Sequence, residues 1–109
     1  MKVVFLPEVE EYLFELTEIL YQKEYFGFKE SAVRYIKELV LDIRDNLPIS
    51  SKHIAPLYFA RYGAGLYYSS FRKNKNTLWY VFFNVYKTED DTVYLVRYIS
   101  NNYEVAQYL

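Results

Sequence analysis

Apolar and polar positions along this chain change period after the first strand and again past residue 64. Lys2–Leu6, "KVVFL", is a short β-branched and aromatic run that Pro7 stops, which predicts a first strand. Pro7 suits the first turn of a helix, where its missing N–H costs nothing. Glu8, Glu10 and Glu11 follow, where a helix dipole favours acids. From Val9 to about Lys23 the residues Val9, Leu13, Leu16 and Leu20 fall on one helical face, widened by Tyr12 and Ile19. "YFGF" (Tyr25–Phe28) reads as a helix break. A second helix is predicted from about Lys29 to Asn46, with Ala32, Val33, Ile36, Leu39, Val40 and Ile43 as its apolar stripe. Pro48 ends it by disfavouring helix at Leu47. A short link between the helices implies an antiparallel hairpin.

Residues 48–64 read as a longer connection. From Leu66 the period becomes that of strands. Leu66–Lys73 and Leu78–Tyr86 flank the turn "NKN", a hairpin signal, and Val93–Ser100 follows the polar turn "KTEDDT". The tail "NNYEVAQYL" suits a last helical turn. The order β-α-α-β-β-β predicts one α+β domain over residues 1–109. Its N-terminal helix hairpin packs on one face of a three- to four-stranded, mainly antiparallel sheet. Alternation along Leu78–Tyr86 assigns Trp79, Val81, Phe83 and Val85 to the core against the helices. Tyr80, Phe82, Asn84 and Tyr86 fall on the other face, which is either an exposed aromatic platform or a surface covered by a partner.

Composition sharpens that question. Aromatic residues make up 21% of the chain, and 14 of them are tyrosine. There is no cysteine, which excludes a disulfide framework and thiolate metal ligation. No metal ligand set, Gly-rich phosphate loop or Ser/His/Asp arrangement is present, so no cofactor is expected. The apolar run before Pro7 is too short for a signal peptide or a membrane span, and a cytoplasmic protein without membrane contact is expected.

The net charge of −1 hides an asymmetry. Residues 1–50 hold six Lys and Arg against ten Asp and Glu, and residues 51–109 hold seven against four. No acid occurs between Asp45 and Glu89, a window with Lys52, Arg61, Arg72, Lys73, Lys75, Lys87 and the only histidine, His53. Such a stretch either meets a polyanion or is a solvated edge of the sheet. Aromatic side chains beside cations suit single-stranded nucleic acid, with bases stacking on Tyr68, Tyr80 or Phe82 and phosphates held by Lys52, Arg61, Lys73 and Lys75. The same tyrosines on strands equally suit cross-strand packing.

The element order, the length and two strand motifs resemble the RelE/ParE superfamily of bacterial toxin–antitoxin toxins. "GLYYSSFR" (Gly65–Arg72) is similar to the family's "glyElR" strand, with Ser70 at the acid, and "LWYVFFNVY" (Leu78–Tyr86) to its next strand, with Tyr80 where an arginine is usual. The resemblance implies a toxin neutralised by a cognate antitoxin protein. Its activity would be ribosome-dependent mRNA cleavage without a metal, or, in ParE-like members, poisoning of DNA gyrase. It implies Arg72 as the strand-ending arginine and Tyr103 as the C-terminal proton handle. RNA cleavage needs a proton acceptor, a stabiliser of the charged phosphorane and a proton donor. Arg72, Lys73 and Arg97 suit the second role, and Tyr103, Tyr80 or His53 the others. Self-association in the absence of antitoxin is a further expectation. A catalytically inactive antitoxin-binding module of the same fold, and an unrelated structural α+β domain, are the competing readings.

Overall fold

The computed structural model describes residues 1–23 and 27–109. Tyr25 and Phe26 of the expected "YFGF" break lie outside the described residues. The first strand is β1 (Lys2–Phe5), followed by helices α1 (Pro7–Gln22) and α2 (Lys29–Asn46). Pro7 opens α1 with Glu8 and Glu10 in its first turn. Val9, Leu13 and Leu16 of α1, and Ala32, Ile36, Leu39 and Ile43 of α2, are buried as their spacing requires. Val33, expected in the stripe, sits at its margin and is 47% exposed. An ion pair joins Lys29, the first residue of α2, to Glu18 near the end of α1, as antiparallel helices allow.

The remaining strands are β2 (His53–Ile54), β3 (Tyr67–Asn74), β4 (Thr77–Lys87) and β5 (Thr92–Asn101), with a short helix α3 (Asn102–Val105) after them. Among the described residues the sheet has five strands in the order β1-β5-β4-β3-β2. β1 runs parallel to β5, and the other pairs are antiparallel. The fold is therefore α+β with a mixed sheet. It is one strand wider than the sequence pattern indicated, because a two-residue strand such as β2 leaves no periodic trace.

The two faces of the sheet carry separate cores. On the helix face, Phe71, Trp79, Val81, Phe83, Tyr94, Val96 and Ile99 pack under α1 and α2, with Val85 at the margin. Trp79 Nε1 donates to Tyr35 Oη at 2.9 Å, so the indole is buried without an unpaired donor. The opposite face is covered by the chain itself. Residues Leu57–Tyr62, expected as connection, form a 3-10 helix that plugs Phe59 against Phe82, Leu66 and Val105. Phe59 and Phe82 are stacked at 4.3 Å, Tyr62 lies 3.8 Å from Tyr98 with parallel rings, and Tyr58 lies 3.7 Å from Tyr108. Many of the tyrosines thus form a second, smaller core. Burying each large side chain there contributes ~1.5–3 kcal/mol, enough to fix the cap on the sheet.

One irregularity decides where later side chains point. β4 pairs with β5 as Phe82↔Tyr98 and Phe83↔Val96, so Arg97 is an extra residue in β5. Such a bulge puts two consecutive side chains, Arg97 and Tyr98, on the cap face.

Candidate functional site

The outer edge of the sheet is where the sequence's candidates meet. β2 pairs with β3 only at His53↔Tyr68 and Ile54↔Tyr67, so β3 is an open edge from Ser70 to Arg72. Tyr68, Ser70 and Arg72 alternate onto the cap face. The His53 ring leans on Tyr68 with centroids 5.2 Å apart, and Tyr68 meets Tyr80 edge-on at 6.0 Å. His53 and Arg72 are both exposed, while Tyr68 and Tyr80 are half-buried. A depression of about 450 Å³ at this edge is lined by His53, Ser70 and Arg72, with Asp42 of α2 at its far side. The Asp42 carboxylate accepts from Asn46 Nδ2 at 2.6 Å. Arg72 has no carboxylate within ion-pair distance among the described residues.

Tyr103 reaches the same end of the sheet by another route. Asn101 caps α3, its side chain accepting from the amides of Tyr103 (2.9 Å) and Glu104 (3.1 Å). That cap aims α3 at the β3–β4 turn. Tyr103 Oη and Asn102 Nδ2 both donate to the Asn76 carbonyl, and Asn102 Oδ1 accepts from the Leu78 amide at 3.0 Å. Arg72 Nη1 donates to the preceding carbonyl, that of Lys75, at 2.9 Å. Arg72, Lys75 and Tyr103 are therefore tied to one turn. Tyr103 is 70% exposed, but its hydroxyl proton is engaged by the backbone, which makes it a support of the turn. Nothing in the sequence pattern marked Asn102. A capping asparagine followed by a second asparagine was the available signal.

No family model, curated protein or solved structure matches this chain. Its chemistry therefore rests on the geometry alone.

The geometry removes five candidates from this edge. Arg97 sits at the other end of the cap face, donating to Asn84 Oδ1 and, at 3.2 Å, to Tyr86 Oη. Arg72 is opposite Leu78, six residues along β4 from Asn84, or about 20 Å at ~3.3 Å per residue. Both lie on the cap face, and that span alone keeps Arg97 and Arg72 from meeting one phosphate. Lys73 faces the helices, its ammonium 3.8 Å from Glu38 and 5.2 Å from the Tyr35 ring centre. Lys52 donates to the Pro48 and Ser50 carbonyls, both at 3.0 Å, and lies 5.5 Å from the ring of Tyr94, a helix-face residue. Arg61 belongs to the cap, bonded to the Tyr58 carbonyl at 3.2 Å and stacked 4.3 Å over the Tyr58 ring. Phe82 is fully buried beneath Phe59 and offers no face to a base.

What remains is one guanidinium, one imidazole, two half-open tyrosine rings and a basic turn. No group of three His, Cys, Asp or Glu among the described residues is placed to share a metal ion. No helix among them is long and apolar enough to cross a membrane. The arrangement can hold one phosphate at Arg72, stack a base on Tyr68 or Tyr80, and move a proton at His53.

Proposed function

We propose that this chain is a RelE/ParE-type toxin of a bacterial toxin–antitoxin pair, acting in the cytoplasm as a metal-independent endoribonuclease on ribosome-bound mRNA. A cognate antitoxin would neutralise it. The observation that carries the reading is the row of His53, Tyr68, Ser70 and Arg72 along the open edge of β3, with His53, Ser70 and Arg72 lining one depression beside the turn that Tyr103 braces. In this reading His53 accepts the 2′-hydroxyl proton, and the 2′ oxygen attacks phosphorus. Arg72, whose guanidinium would have to leave the Lys75 carbonyl and turn along the edge towards His53, stabilises the phosphorane, and the P–O5′ bond breaks. The 5′ oxygen takes a proton from solvent, leaving a 2′,3′-cyclic phosphate and a 5′-hydroxyl.

The test is induced expression in a bacterium, with growth and transcript ends followed together for wild type, Arg72→Ala and His53→Ala. Wild type should arrest growth and create new ends within translated codons. Arg72→Ala should abolish both, and His53→Ala should lower cleavage by about 10²–10⁴-fold, the usual worth of a positioned acid/base. Growth arrest without new transcript ends would reject the ribonuclease reading and favour gyrase as the target. No arrest at all would leave the inactive antitoxin-binding module or an unrelated structural α+β domain.

A further inference from the structure

A groove of about 720 Å³ lies on the helix face, on the other side of the sheet from the His53–Arg72 edge. Strand lengths create it. β1 pairs with β5 only over Val93–Val96, so from Arg97 to Asn101 β5 has a strand neighbour on its β4 side alone. The later turns of α1 flank this gap and α3 closes its end. Tyr12, Ile19 and Leu20 line it from α1, Trp79 from the sheet, and Tyr103 and Glu104 from α3.

Its lining is aromatic with a single acid. Among the described lining residues Glu104 is the one carboxylate, and Lys23, at the end of α1, the one cation. Glu104 is exposed, and its carboxylate forms no ion pair among the described residues. Its field reaches into the groove: burial chiefly, and the Glu104 charge with it, raises the Tyr12 hydroxyl above its ordinary pKa. Tyr35, also on the lining, already has the Lys73 ammonium 5.2 Å from its ring centre. Ring faces and a carboxylate at this end of the sheet both draw positive charge. The volume is that of a small-molecule site, and Asn74, Thr77, Ser100 and Asn101 add polar groups beside the aromatic and aliphatic ones.

We propose that this groove binds an organic cation, an ammonium or guanidinium carried on an apolar or aromatic body. The body would lie against Ile19, Leu20 and the tyrosine rings, and the charged head against Glu104. The proposal does not rest on the toxin reading, although Tyr103 borders both sites, and the groove has the opposite charge preference from the Arg72 edge.

Trp79 is the only tryptophan and lines the groove, so its fluorescence reads occupancy directly. The full chain is titrated with phenethylamine, with its neutral isostere 2-phenylethanol, and with anionic 3-phenylpropanoate. Phenethylamine should give a saturable change and bind about tenfold tighter than the alcohol, a ~1.4 kcal/mol preference. The carboxylate should bind weakest. Glu104→Gln should erase the preference for the amine while leaving the alcohol's affinity and the melting temperature unchanged. As a second variant, Ile19→Lys places a tethered ammonium at the mouth and should compete with the amine. Equal binding of amine and alcohol, an unchanged preference in Glu104→Gln, or no saturable change with phenethylamine would overturn the proposal.

Discussion

Truncating Phe59 to alanine tests whether the cap is part of the folded unit or an appendage. Phe59 is fully buried, stacked at 4.3 Å on Phe82 and edge-on to Tyr58 at 5.0 Å. Removing a buried phenylalanine ring costs ~3–5 kcal/mol in transfer and cavity terms, with the lost ring pairs inside that range. A domain of this size has ~5–15 kcal/mol in total, so Phe59→Ala should lower the melting temperature by about 15–25 °C. Urea unfolding is followed by far-UV circular dichroism and by Trp79 fluorescence in parallel. Trp79 belongs to the helix-face core, so it reports on the half of the molecule that Phe59 does not touch. If the two cores unfold together, both transitions shift equally. A loss below ~1 kcal/mol, or a Trp79 transition that stays in place while the other moves, would refute the argument that the cap face is a load-sharing core.

Gly63→Ala would place a methyl group 2.7 Å from Cδ of Arg97, whose guanidinium is held by Asn84 and Tyr86. Overpacking there should cost ~1–3 kcal/mol by thermal melting and leave the Arg72 edge intact. Burial first, and the hydrogen bond with Tyr98 next, push the Tyr62 hydroxyl up to about 12 from 10.0. The unfolded chain then loses that proton first, so stability should be full below about pH 10 and fall as pH rises towards 12, and Tyr62→Phe should flatten the decline in urea titrations. Tyr103→Phe removes one bond to the Asn76 carbonyl while Asn102 keeps its own, so stability should drop by only ~0.5–1.5 kcal/mol, with faster amide exchange at the turn and cleavage reduced but not abolished.

The helices were legible because their stripes repeat over four turns, and the β3–β4 hairpin because alternation flanks an Asn-rich turn. The core face of β4 followed from the same alternation: Trp79, Val81 and Phe83 are buried under the helices. The other face was harder. Tyr58, Phe59 and Tyr62 are too few and too irregularly spaced to announce a 3-10 plug, so Phe82 looked available when it was covered from within. Arg97 was placed on the right face but at the wrong end of it: register sets it beside Asn84 and Tyr86, far along β4 from the residue opposite Arg72, and the bulge changes the phase only of the residues after it. Lys73 is a different case. Its parity is that of Ser69 and Phe71, both buried on the helix face, and the β3–β4 pairing slips at it, between Arg72 and Asn74, so it parts from Arg72.

That separation has a measurable consequence for nucleic acid. The sequence offers six candidate cations in Lys52, Arg61, Arg72, Lys73, Lys75 and Arg97, and a surface using all of them would bind single strands steeply against salt. For single-stranded nucleic acid the slope of log K against log salt is about −0.7 per neutralised phosphate, which gives about −4 for six contacts. In the folded chain only Arg72 and the turn's Lys75 share the open edge with His53, while Lys73 is paired with Glu38 and Lys52 with carbonyls. Two contacts give a slope of about −1.4 and weak binding. A labelled single-stranded RNA, followed by fluorescence anisotropy over a range of salt with the isolated chain, should therefore show low affinity and a shallow slope, reduced further in Arg72→Ala. Substrate would then have to be presented by another surface, as a ribosome presents mRNA, and free RNA would be a poor substrate even for an active enzyme. A slope near −4 would mean that the cap and the Arg97 end bind RNA as well, and the reading of a single-phosphate edge would fail.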